Sequence, residues 1–216
     1  MRTILFDFDG TVADTLPMIF NSFRSTFQHF LQRHYTDQEI VAMFGPPEMG
    51  ILENMIASEQ LADAVIHFYD YYTAEHQRVS NPPEMIRLLD RLKKAGISMG
   101  IVTGKGRRSA DISLKEWGLT PYFDVVIAGD EVRNPKPDPE GIFIAMEQLG
   151  AAPDQTIFVG DSNADIMAGK AAGLVTVGVT WLPVTQKAGS FQPEPDYQFT
   201  DKNAFAEWVL ELGRQS

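Results

Sequence analysis

Short, almost wholly apolar runs alternate with helical patterns along most of this chain, and that alternation limits the folds open to it. Residues 3–8, 98–102, 125–128, 156–159 and 175–179 are rich in branched and aromatic side chains and read as buried strands. Between them, Met85, Leu88, Leu89 and Leu92 share one helical face, with Asn81 as cap, Pro82-Pro83 at the entry and Gly96 as the stop. Ile142, Ala145, Met146 and Leu149 do the same behind Asp138-Pro139 and end at Gly150, and residues 204–212 carry Phe205, Trp208, Val209 and Leu212 on one packing face. Strands apolar on both faces belong to a parallel sheet covered by helices on both sides. The expected fold is α/β, a Rossmann-like parallel sheet whose ligands sit at the carboxyl ends of its strands.

One stretch breaks the alternation. Residues 16–79 show helical periodicity and no convincing strand: Phe20, Phe23, Phe27 and Phe30 recur at spacings of three and four, as do Leu61, Ala64, Val65, Phe68, Tyr69 and Tyr72. The turn Gly45-Pro46-Pro47 divides these helices. The expected organisation is an α/β core of residues 1–15 and 80–216 with an all-helical cap of residues 16–79 over the sheet edge. Most of the aromatic residues are expected to form the insert's own core.

Composition removes several functions. The 216 residues carry 18 Lys plus Arg against 29 Asp plus Glu, a net charge of −11 that repels phosphate backbones and argues against a general nucleic-acid surface. With 0 cysteines, disulfide scaffolds, thiolate zinc sites and cysteine nucleophiles drop out together. No apolar run reaches the ~18–20 residues needed to cross a bilayer, and the opening Met1–Asp7 meets a carboxylate too early for a signal-peptide core. The expectation is a soluble cytoplasmic protein, monomer or homodimer, without membrane or nucleic-acid partners.

The first strand runs into Asp7-Phe8-Asp9-Gly10-Thr11, where alternation places Asp7 and Asp9 on one side. Two like charges ~4 Å apart repel by roughly 4 kcal/mol at an effective dielectric near 20, so a cation or a shared proton must relieve them. Directly after the strand at 156–159 stands Gly160-Asp161-Ser162-Asn163-Ala164-Asp165, whose two acids are one helical turn apart. An all-oxygen donor set suits Mg²⁺ better than zinc. Thr103 and Gly104 end the strand at 98–102 with a hydroxyl and an unencumbered backbone, and Lys136 is framed by Pro135 and Pro137, which stiffen it for a fixed anion.

Taken in order, DFDGT, VTG, KPDP and GDSNAD resemble the four motifs of the haloacid-dehalogenase superfamily, in the branch with a helical cap after the first strand. GIVTGK, NPKPDP, GDSNADIMAGKAAG and the FGPP turn are most similar to its phosphoglycolate phosphatase and pyrophosphatase group, over nearly the whole chain. The resemblance implies a Mg²⁺-dependent hydrolase of a small phosphorylated metabolite. Asp7 would be the nucleophile and form an aspartyl-phosphate; Asp9 would be the acid and then the base. Thr103, Gly104 and Lys136 would hold the phosphoryl group. Asp7, the Asp9 carbonyl, Asp161 and Asp165 would hold the metal, Asp165 through a water or a hydrogen bond. The presence of Asp9 disfavours dehalogenation, and no cap lysine is placed as a Schiff-base former for phosphonate cleavage. Gly45, Pro46 and Glu48, at the tip of the insert, are the expected specificity loop.

Competing readings are weaker. Gly104-Lys105-Gly106-Arg107-Arg108-Ser109 lacks the third glycine of a dinucleotide fingerprint, which leaves Lys105, Arg107 and Arg108 as expected exposed helix-start residues. Gly169-Lys170 lacks the leading glycine of a triphosphate loop. A phospho-acceptor switch has no use for Asp9, and a sugar-phosphate mutase needs cap groups that the FGPP turn does not offer. His29, His34, His67 and His76 all fall in the insert without metal-ligand spacing and are expected to pack or face solvent.

Overall fold

The computed structural model describes residues 2–79, 83–184 and 190–214. Asn81 and Pro82, the expected cap and entry of the helix that follows, lie outside them. Strands β1 (Thr3–Phe6), β2 (Ser98–Val102), β3 (Val125–Ile127), β4 (Thr156–Gly160), β5 (Val175–Val179) and β6 (Tyr197–Phe199) form one sheet, ordered β3-β2-β1-β4-β5-β6. Every pairing in it is parallel. β1 is central, with Leu5 opposite Gly100 on one side and Phe158 on the other. The order reverses at β1, so the cleft for a ligand opens at the carboxyl ends of β1, β2 and β4.

Helices α1 (Leu16–Leu31), α2 (Asp37–Val41), α3 (Glu48–Met55) and α4 (Leu61–Arg78) follow β1 with no strand between them. α5 (Pro83–Lys94), α6 (Arg107–Glu116), α7 (Glu140–Leu149), α8 (Asn163–Ala171) and α9 (Lys202–Arg214) cover the sheet. Two apolar clusters enclose the sheet, one on α5 and α9 with Leu88, Leu92, Phe205 and Val209, the other on α7 and α8 with Ile142, Met146 and Ala168. A third belongs to the inserted helices. Phe23, Phe27, Phe68 and Tyr72 are buried there, and Phe23 and Phe68 stand 4.7 Å apart between ring centroids. The expected aromatic periodicity is therefore the insert's own core.

The strands depart from the sequence expectation at several points. The β1 ladder ends at Phe6 rather than Phe8, because Thr11, Val12 and Ala13 turn back to donate to the Phe8 carbonyl. Asp7 N–H still reaches Val159 O at 2.8 Å, so its backbone keeps the direction of the strand. Ala128 leaves the sheet for a short 3₁₀ turn. β6 was not expected from the sequence: it has 3 residues, and Tyr197 and Gln198 are exposed, so it carries almost no apolar signal. Among the described residues no helix is long and apolar enough to cross a membrane.

Candidate active site

The sheet brings residues more than a hundred positions apart to one edge. Asp7 leaves β1 and is 2 % exposed, and Asp161 leaves β4 with Asp165 one turn into α8, both fully buried. One carboxylate oxygen from each of Asp7, Asp161 and Asp165 lies within 4.8 Å of the others. Lys136 reaches the group from the loop before α7, with Nζ 2.6 Å from Asp7 Oδ1, 2.6 Å from Asp165 Oδ1 and 3.1 Å from Val102 O.

Local sequence fixes each acid. Gly10 has φ +85°, and a Cβ there would stand 2.3 Å from Asp161 Oδ2, so only glycine lets the turn after β1 close on that carboxylate. Thr11 Oγ1 donates to Asp161 Oδ1 at 3.2 Å. Asp165 does two jobs. Its Oδ2 accepts from Ser162 N–H at 2.9 Å and Ser162 Oγ at 2.6 Å, the reciprocal cap of α8, while Oδ1 faces Lys136.

Three acids against one lysine leave negative charge in excess. Burial pushes the Asp7 carboxyl up to about 7, against the pull of Lys136 and with a further push from Asp165 and Asp9. Burial opposes the Lys136 ammonium as well, but Asp165 and Asp7 outweigh it and hold its proton affinity above the usual lysine range. Asp7 Oδ2 is buried without a hydrogen-bond partner among the described residues, an acceptor pointing at nothing the protein supplies. A hard divalent cation suits this all-carboxylate donor set.

Above the acids lies a cavity of about 260 Å³. Asp7, Asp9, Thr103, Gly104 and Lys136 line it from the sheet, and Gly45, Pro46 and Glu48 from the insert. Asp161 and Asp165 do not line it; they sit behind Asp7. Asp9 is 7 % exposed, and Thr15 Oγ1 donates to its Oδ1.

Lys105 corrects the sequence expectation. It is 4 % exposed rather than a solvated helix-start residue, and its Nζ meets Asp9 Oδ1 at 3.1 Å and Glu48 Oε1 at 3.4 Å. The loop holds it there: its carbonyl accepts from Gly129 N–H at 2.8 Å and its N–H donates to Thr103 Oγ1 at 3.2 Å. Burial disfavours its charge, but Asp9, the Tyr72 phenol group and Glu48 raise its proton affinity above the usual range. Lys105 stands three residues past the carboxyl end of β2, beside Arg107 and Arg108, a setting that gives no sign of its burial in the sequence. Arg107 is half-buried and pairs with Glu131, and Arg108 is exposed over the Tyr69 ring at 4.0 Å. Of the histidines, His29 and His34 are exposed, His67 is half-buried beside Ser25, and His76 is buried.

A parallel sheet with converging acids at its edge, and a helical segment inserted after its first strand, define an α/β enzyme that works at its strand ends. The family model for haloacid dehalogenase-like hydrolases matches residues 4–179. The pyrophosphatase PpaX of Bacillus velezensis is 38% identical over 200 residues, which is 91% of each chain. CbbY from Rhodobacter sphaeroides, solved in complex with phosphate, superposes with TM-score 0.80 at 22% identity over 94% of this chain and 95% of that one. A predicted phosphoglycolate phosphatase from Haemophilus somnus does so with TM-score 0.83 at 23% identity over 97% and 98%. At those identities the two structures speak for the fold alone. The chain belongs to the haloacid dehalogenase-like hydrolase family, in the group of its phosphatases and pyrophosphatases.

Proposed function

We propose that this protein is a Mg²⁺-dependent hydrolase of a small phosphorylated metabolite, working through a phosphorylated Asp7, with residues 1–15 and 80–216 as core and 16–79 as cap. The observation that carries the reading is Lys136 Nζ, 2.6 Å from both Asp7 and Asp165, at the one edge where three acids and an apolar-walled cavity meet. Asp7, the Asp9 carbonyl and Asp161 hold Mg²⁺, with Asp165 one step behind; when bound, the ion offsets the charge of nucleophile and phosphoryl group together.

An Asp7 oxygen attacks phosphorus, and the bond to the leaving oxygen breaks. Asp9 delivers a proton to that oxygen. Water then attacks the aspartyl-phosphate, Asp9 takes its proton, and the Asp7 carboxylate and phosphate are released. Lys136, Thr103 and the Gly104 and Phe8 N–H groups receive the phosphoryl oxygens. Gly45, Pro46 and Glu48 wall the cavity on the side where the leaving group would lie, and the proposed location is the cytoplasm.

Phosphoglycolate is the first substrate proposed. Inorganic pyrophosphate is the second, on the strength of a relative named pyrophosphatase at 38% identity. Phosphate release with Mg²⁺ should be compared across phosphoglycolate, pyrophosphate, hexose phosphates and nucleotides, beside an Asp7→Asn control. Release by the wild type that Asp7→Asn abolishes supports the reading; release that survives the substitution overturns it.

A further inference from the structure

The insert meets the core through two unlike contacts. α4 rests on α6 without an ion pair: Tyr72 Oη and Ser113 Oγ share a hydrogen bond of 2.8 Å, Trp117 Nε1 donates to Val79 O at 2.9 Å, and the exposed Arg108 lies over the Tyr69 ring at 4.0 Å. The entry to α3 is held by charge. Glu48, its first residue, accepts from Gly106 N–H on Oε2 at 2.8 Å and meets Lys105 Nζ with Oε1 at 3.4 Å. Lys105 in turn reaches Asp9 Oδ1 at 3.1 Å and Oδ2 at 3.2 Å, and stands 5.0 Å from the Tyr72 ring centroid. The three charged side chains are almost sealed from water, with exposures of 0 % for Lys105, 10 % for Asp9 and 7 % for Glu48.

A carboxylate buried this far is unfavourable unless paired, and both Glu48 oxygens are paired to one two-residue stretch of the core. The stretch is built for it: a Cβ at Gly106 would come within 2.9 Å of Glu48 Oε2. If α3 moved away, Glu48 would regain water and Lys105 would keep Asp9, so neither charge would be stranded. Gly45, with φ +146° and no atom within 4 Å of where its Cβ would be, offers a pivot, and Pro46-Pro47 stiffen the lever between pivot and carboxylate.

We infer that Glu48 is a latch rather than a substrate contact: by gripping Lys105 and the Gly106 N–H it fastens residues 44–48 over the cavity and sets Lys105 against Asp9. Glu48 and Lys105 are thus positioning residues, and seating the loop and seating Asp9 are one event. The effect on turnover rests on the hydrolase reading; the latch itself does not.

Peptide-resolved hydrogen exchange on the substrate-free protein tests it. Glu48→Ala and Lys105→Met should each speed exchange across residues 44–52 by roughly tenfold or more, the factor a charge-assisted hydrogen bond supplies. The double variant should be no faster than either single one, residues 83–94 should be unchanged, and Glu48→Gln should give a smaller acceleration. If Lys105→Met exchanges fast everywhere through unfolding, Glu48→Gln decides. Exchange unaltered in both Glu48 variants overturns the latch, and a changed ranking of substrates with unaltered exchange makes Glu48 a substrate contact. Accelerated exchange in a protein that releases phosphate from nothing leaves the latch standing and removes the hydrolase reading.

Discussion

Two buried lysines flank the turn after β1, and they differ in who their partners are. Lys136 is held by Asp7, Asp165 and the Val102 carbonyl, all fixed by the sheet edge or the first turn of α8. Lys105 is held by Asp9 from the same turn and by Glu48 from an inserted helix. The first charge stays in place whatever the insert does; the second is complete only while α3 sits where it does. Chemistry that needs a permanent cation belongs to the Lys136 side, and control of access belongs to the Lys105 side.

Removing the nucleophile should do most. Asp7→Asn is expected to lower phosphate release by roughly 10⁴-fold or more, with no phosphorylated protein trapped by rapid quench. Lys136→Met comes next, with kcat falling by about 10²–10³-fold and KM moving far less, because the lost charge faces the reacting group. A rise in KM with kcat unchanged would mean that the Lys136 charge does not act on the reacting group and would erase the contrast between the two lysines. Adding Mg²⁺ at ~100 times its Kd should stabilise the protein by about 2.7 kcal/mol, or roughly 5–10 °C in melting temperature. Asp161→Asn should abolish that gain, and a gain of equal size in the variant would move the ion elsewhere.

The Lys136 side was legible in the sequence and the Lys105 side was not, for physical reasons. Asp7 and Asp161 end apolar runs, and parallel strands side by side must bring such ends together. Prolines on both sides of Lys136 marked it as placed. Nothing in the residues around Lys105 distinguishes a buried ammonium from a solvated one, because its partner Glu48 is 57 positions away, on a helix whose docking periodicity does not specify. The FGPP turn was visible as cavity wall, but not that Glu48 would spend its charge on the core. The other five strands announced themselves by apolar composition, whereas β6, exposed at two of its positions, joins the sheet through backbone pairing with β5.

The smallest effect sharpens the seam between insert and core. His76 is 2 % exposed on α4, its Nδ1 2.8 Å from Tyr72 O and its ring 4.9 Å from that of Trp117. Burial holds its pKa below the usual 6.5; Lys105 adds to that, while the Tyr72 carbonyl, Asp9 and Glu116 pull the other way. As pH falls through about 6.5 the unfolded chain takes up a proton that the folded chain refuses. The stability His76 contributes is therefore complete above that pH and is lost on the way down towards its folded value. Asp7 has the opposite sign, since its raised pKa lets the folded chain hold a proton longer. The quantity to measure is thus the difference in urea stability between wild type and His76→Phe, in which Asp7 cancels. The wild type should lose about 0.5–1 kcal/mol relative to the variant between roughly pH 7 and 5.5, and residues 44–52 should exchange no faster in the variant. A pH-independent difference would mean that His76 takes up its proton in the fold as readily as in the unfolded chain, and faster exchange at 44–52 would mean that the α4–α6 seam and the Glu48 contact move together.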